Sequence, residues 1–181
     1  MPLVLALLLA QAGSLRPAER LEVPGLENVG RVAPGIYRGS APAAEGLDSL
    51  KRMGIRTVIN LRHYHGGAEE RGCRERGIDY VRLVLASSDA PSDQDVRRFF
   101  AIVTDPRRQP VYVHCWRGKD RTGVMIAAYR MAVEGWPLPE ALREMEAFGF
   151  FPGWRDLRAW VEGLAARLHL LWPRPAASAT P

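Results

Sequence analysis

The apolar positions follow two alternating rhythms along the chain. Short β-branched or aromatic runs at Gly35–Arg38, Ile55–Leu61, Asp79–Leu85 and Pro110–His114 have the density expected of buried strands. The segments between them repeat at helical spacing. Residues 43–53 put Leu47, Leu50 and Met53 on one face and stop at Gly54, and residues 67–76 form a charged helix ending at Gly77. Ser92 caps a helix that reaches Thr104 and buries Val96, Phe99, Phe100 and Val103. Thr122–Glu134 is apolar nearly all round, which predicts a helix surrounded by protein. A helix over Leu138–Phe148 is closed by Gly149. Trp154, Leu157, Trp160, Val161, Leu164, Leu168 and Leu171 then trace the core stripe of a long C-terminal helix. Strands alternating with helices predict an α/β fold with a mostly parallel central sheet and helices on both faces. Ligands of such sheets bind beyond the carboxyl ends of the strands.

The ends of the chain read differently. Leu3 to Ala10 is an uninterrupted apolar run, too short to cross a bilayer, and Ala10-Gln11-Ala12 has the small-x-small form of a signal-peptidase site. Residues 1–12 are therefore expected to be an export signal, which makes the protein periplasmic or secreted, without stable membrane insertion once the signal is removed. Its n-region carries no Lys or Arg, and a cytoplasmic location is the alternative. Residues 13–34, rich in Pro, Gly and charge, read as an irregular lead-in. The folded domain is expected over 35–171 and a disordered tail over 172–181, with no internal repeat.

Composition adds little beyond this. The 181 residues are 47% hydrophobic and 25% charged, an ordinary globular balance for one domain, expected as a monomer. The net charge of +5 comes almost wholly from arginine, since Lys51 and Lys119 are the only lysines. That excess suits an anionic substrate, although compositional bias explains it equally. No basic dimerising helix, zinc-finger spacing or aromatic strand motif points to nucleic acid. The two cysteines, Cys73 and Cys115, lack the spacing of a zinc site, and the His63/His65 pair lacks a third ligand, so no metal or cofactor is expected. Unpaired thiols are the simpler expectation, with a reversible Cys73–Cys115 bridge as the alternative.

The chemistry concentrates in HCWRGKDRTG, residues 114–123. It lies between a strand and the N-terminus of a helix, where uncommitted N–H groups and the helix dipole favour an anion. Cys115 opens the loop and Arg121 closes it. The backbone of Trp116, Arg117, Gly118, Lys119, Asp120 and Arg121 can wrap a tetrahedral phosphate while the Arg121 guanidinium holds two of its oxygens. An unperturbed thiol is mostly protonated at neutral pH, and a helix N-terminus beside a guanidinium favours the thiolate. Thr122 can donate to the sulfur, and His114 can order the loop from behind. A nucleotide P-loop is excluded by spacing, because Val113 stands where its first glycine belongs.

HCWRGKDRTG resembles the signature of the protein tyrosine phosphatase superfamily: His-Cys, five residues, Arg, then Thr-Gly. GIYRGSAP, GIRTVINLR, GIDYVRLVL and YRMAVEGWPLPEALREMEAFGF are similar in order and spacing to small dual-specificity phosphatases, chiefly the bacterial periplasmic and the atypical plant-and-fungal types. The resemblance implies phosphomonoester hydrolysis through a phosphocysteine and a general acid on the loop before the signature strand. In ASSDAPSDQD that acid is expected at Asp89, with Asp93 and Asp95 in the following helical turn. Asp120 is the rival, because myotubularins link an aspartate at the matching loop position to catalysis. Trp116 and Tyr64 are suited to flank a phosphotyrosine ring. The basic rim of Arg62, Arg117 and Lys119 suits phosphoinositides or inositol phosphates. A non-catalytic phospho-binding module and a rhodanese-like sulfurtransferase are the remaining alternatives; the Arg-Thr-Gly ending disfavours the latter.

Overall fold

A computed structural model describes residues 15–63, 67–85 and 90–172. The expected signal at 1–12, Tyr64, His65, Asp89 and the tail from residue 173 lie outside the described residues. Among the described residues six strands form one sheet: β1 (Glu19–Val23), β2 (Leu26–Ala33), β3 (Ile36–Gly39), β4 (Thr57–Asn60), β5 (Asp79–Arg82) and β6 (Val111–His114). The described residues also form the helices α1 (Ala44–Arg52), α2 (Ala68–Glu75), α3 (Asp93–Val103), α4 (Asp120–Ala132), α5 (Leu138–Ala147) and α6 (Arg155–Leu171). The strand order is β1-β2-β3-β6-β4-β5. Strands β3, β6, β4 and β5 run parallel, and β1-β2-β3 is an antiparallel meander.

The meander corrects the expectation of an irregular lead-in over 13–34. Its Pro and Gly residues make turns. Pro24-Gly25 joins Val23 to Leu26 and Pro34-Gly35 joins Ala33 to Ile36, with Gly25 and Gly35 at φ 74° and 77°. Proline presets the first turn position and glycine accepts the positive φ of the second. The domain therefore starts at the first strand, well before residue 35. Elsewhere the elements match the periodicity to within a few residues. The strands expected over 55–61 and 79–85 are shorter, yet Leu61, Leu83 and Leu85 remain buried and bond to the neighbouring chain. A capping box between Ser92 and Asp95 starts α3.

Alternate strand residues serve the two faces, as a period of two requires. Ile36, Ile59, Val111 and Val113 pack against α3, α4, α5 and α6. Val58 and Tyr112 face the other way, against Leu47 and Leu50 of α1 and Cys73 of α2. Helix α4 is buried at every residue from Thr122 to Ala132, which accounts for its lack of a polar face. Its Arg130 is held in the core by both oxygens of Glu144, at 2.9 and 2.7 Å. Burial of α4 fixes its N-terminus at the carboxyl end of β6, where Cys115 lies.

Candidate active site

Residues 115–119 connect β6 to α4, and four of their carbonyls are fastened to the surrounding scaffold. His114 Nδ1 lies 2.9 Å from Cys115 O. Ala41 N donates to Trp116 O at 3.0 Å. Asn28 Nδ2 reaches Arg117 O at 3.4 Å and Gly118 O at 3.1 Å, and Arg38 Nη2 donates to Gly118 O at 2.9 Å. A trans peptide points its N–H opposite its C=O. Fastening the carbonyls of 115–118 to the scaffold therefore turns the N–H groups of 116–119 the other way, as in an anion-binding nest. Lys119 O then accepts from Gly123 N at 2.7 Å as α4 begins.

Gly118 is where this wrapping needs glycine. Its φ is 68°, and a Cβ there would lie 2.4 Å from both C and O of Gly39 and 2.9 Å from Ser40 N. The loop rests directly on the backbone leaving β3. Gly39 is equally constrained, since a Cβ would fall 2.2 Å from Tyr112 Oη, which donates to Ser40 O at 2.8 Å.

The expected residues occupy distinct positions around this loop. Cys115 is 3% exposed. Arg121 is partly exposed and donates through Nη1 to Leu85 O at 3.3 Å, beside the start of the segment that contains Asp89. Thr122 is buried and, among the described residues, its hydroxyl has no hydrogen-bond partner. Asp120 Oδ1 accepts from Phe151 N at 2.8 Å, which ties the start of α4 to the α5–α6 connection. Trp116 is 64% exposed and Arg62 sits at 5.5 Å from its ring. With Ser40, Pro42 and Arg117 they line a cleft of about 690 Å³. Arg117, Lys119, Phe151 and Trp154 line a second groove of about 410 Å³. Both cysteines are free and pack on opposite faces of the sheet, which leaves no Cys73–Cys115 bridge. Burial pushes the Cys73 thiol up to about 12.

Three residues at the site were not anticipated. Asn28 stands at φ 53° on β2 and clasps three carbonyls, the third being Phe148 O at 3.0 Å. Arg38 of β3 is fully buried, with its guanidinium 4.0 Å from the Phe148 ring and, among the described residues, no hydrogen-bond partner for its Nε and Nη1. Desolvation lowers its pKa to about 10, opposed by the Glu144 carboxylate. Glu69 of α2 is buried against His114, at 2.7 Å from Nε2. Arg38 had a sequence signal, a charge inside a strand flanked by glycine. Glu69 and Asn28 had none, because nothing local distinguishes them from neighbouring polar residues.

Comparison with known proteins supplies the context of this arrangement. Residues 27–150 match the family model described as a DSP-PTPase phosphatase fused to NAD+ kinase. The chain is similar to the dual specificity protein phosphatase TpbA of Pseudomonas aeruginosa, with 31% identity over 160 residues, 84% of this chain and 69% of that one. It is also similar to the inositol diphosphatase DSP2 of Oryza sativa, with 29% identity over 134 residues, 70% of this chain and 63% of that one. Among solved structures, P. aeruginosa TpbA in complex with pTyr superposes at a TM-score of 0.75 and 26% identity, over 90% of this chain and 99% of that one.

Proposed function

The chain belongs to the DSP-PTPase phosphatase family, and on that premise we propose that it hydrolyses phosphomonoesters of protein phosphotyrosine or of dual specificity through a phosphocysteine. The observation that carries this is the loop itself: a cysteine at the carboxyl end of a buried strand, followed by four peptides whose carbonyls are tied back. The N–H groups so exposed, the positive end of α4 and the Arg121 guanidinium together favour an oxyanion. Cys115 attacks phosphorus, the bond to the leaving oxygen breaks, and Asp89 supplies the proton that oxygen takes up. The same carboxylate then accepts a proton from the water that displaces the sulfur, releasing inorganic phosphate. Thr122, buried and without a hydrogen-bond partner among the described residues, is available to donate to the departing sulfur. The commitment of Asp120 to Phe151 N supports Asp89 as the acid.

The exposed Trp116 beside the larger cleft supports an aromatic phosphoester, as does the pTyr held by the Pseudomonas relative. An inositol phosphate is the second reading, favoured by Arg117 and Lys119 along the smaller groove and by the inositol diphosphatase relative. A panel of phosphotyrosine peptide, phosphoserine peptide and inositol phosphates separates the two, and preference for the inositol phosphates reverses their order. Cys115→Ser is expected to abolish turnover and retain phosphate binding; turnover that survives excludes Cys115 as nucleophile. The reading includes export, supported by the apolar run Leu3–Ala10 and by Ala10-Gln11-Ala12. N-terminal sequencing of the mature protein tests it, and an intact Met1 in the soluble cell fraction contradicts it.

A further inference from the structure

A carboxylate in the first turn of a helix ordinarily faces water, where the dipole favours it. Glu69 instead has a side chain only 6% exposed, with both oxygens engaged. Oε1 meets His114 Nε2 at 2.7 Å, while Oε2 accepts from Arg62 Nη2 and lies 3.4 Å from Asn60 Nδ2. His114 continues the chain on one side. A carbonyl can only accept, so its Nδ1 donates to Cys115 O at 2.9 Å. Arg62 continues it on the other side. Its backbone N and Nε are anchored on Asn60 Oδ1 at 2.8 and 3.3 Å, and its guanidinium underlies the exposed Trp116 ring.

One buried carboxylate thus touches the residue behind the nucleophile and the residue beneath the wall of the larger cleft. Burying charge is costly, and hydrophobic residues of similar volume often stabilise a fold as well or better. What the charged chain supplies is directional geometry, because each hydrogen bond fixes the next group. We propose that Glu69 is a positioning residue that holds the Cys115 loop and the Trp116 wall in one register, so that displacement at Arg62 is transmitted to the nucleophile. This inference rests on the phosphatase function proposed above.

The test uses the full chain, an aryl phosphate for turnover and tungstate, an unreactive tetrahedral oxyanion, for loop geometry. Glu69→Ala is expected to lower kcat and weaken tungstate binding, each about tenfold or more. Glu69→Gln keeps an acceptor for Arg62 and offers an amide donor to Nε2, so it is expected to restore both to within about threefold. Arg62→Gln lowers kcat as well as raising KM, whereas a cation that only binds substrate would raise KM alone. Should Glu69→Ala not fold, Arg62→Gln combined with His114→Asn decides. Their joint loss in kcat falls short of the product of the single losses by more than about twofold. A folded Glu69→Ala with wild-type kcat and tungstate affinity overturns the inference, as do independent Arg62 and His114 effects. Wild-type protein that binds tungstate without turnover sinks the phosphatase function alone, and the tungstate measurements then decide for Glu69.

Discussion

Two glycine substitutions separate the cost of a backbone conformation from the cost of a collision at the site. Gly54 and Gly118 have nearly the same φ, 74° and 68°. Among the described residues a Cβ on Gly54 meets nothing within 4 Å, whereas on Gly118 it meets backbone atoms of Gly39 at 2.4 Å. Gly54→Ala therefore carries only the left-handed penalty of roughly 1–2 kcal/mol. For a domain of this length that lowers Tm by about 2–8 °C. Gly118→Ala carries the same penalty plus a contact that no side-chain rotation relieves, since the opposing atoms are main chain. The loop must lift by about 1 Å to restore ordinary contact, and a misplacement of that size can cost about 100-fold in rate. Expressed as transition-state stabilisation, that is about 2.7 kcal/mol. Thermal unfolding by circular dichroism and kcat/KM on an aryl phosphate measure the two effects. The expected pattern is a lowered Tm in both variants and a lost kcat/KM in Gly118→Ala alone. A folded Gly118→Ala with kcat/KM within about threefold of wild type refutes the claim that this contact sets the loop geometry.

Two further outcomes follow from the same geometry. Asp89→Asn should lower kcat and flatten the alkaline limb of its pH profile, while Asp120→Ala should chiefly destabilise the α5–α6 connection by releasing Phe151 N; the reverse pattern makes Asp120 the acid. Cys73, with its thiol raised from 9.0 to about 12, should resist alkylation in the folded protein at pH 8 while Cys115 reacts. Because the unfolded chain loses that proton first, stability falls as pH rises from 9 toward 12, and urea titrations at pH 8 and pH 10 should show a shallower fall for Cys73→Ala. An equal fall in both proteins shows that Cys73 has no part in it.

The catalytic loop was legible because its parts are consecutive. Cys115, Gly118, Arg121 and Thr122 follow one strand and open one helix, so spacing alone predicts a cradle for an anion. The α/β class was legible for a related reason: periods of 2 and 3.6 reflect which side chains face the core, and each is written locally. The meander was misread although its information is also local, since Val-Pro-Gly-Leu and Ala-Pro-Gly-Ile are turn sequences between alternating strands. What no local pattern contains is the support of the loop. Asn28, Arg38 and Glu69 lie 87, 77 and 46 residues before Cys115. They meet the loop only because β2, β3 and α2 converge on the carboxyl end of β6. A buried polar group is recognised by its partners, and those partners are assembled by the sheet. Local spacing marked where phosphate chemistry would occur. Which distant residues hold the carbonyls of 115–118 in place emerged from the fold alone, because hydrogen bonds between segments depend on distances that a linear pattern does not encode.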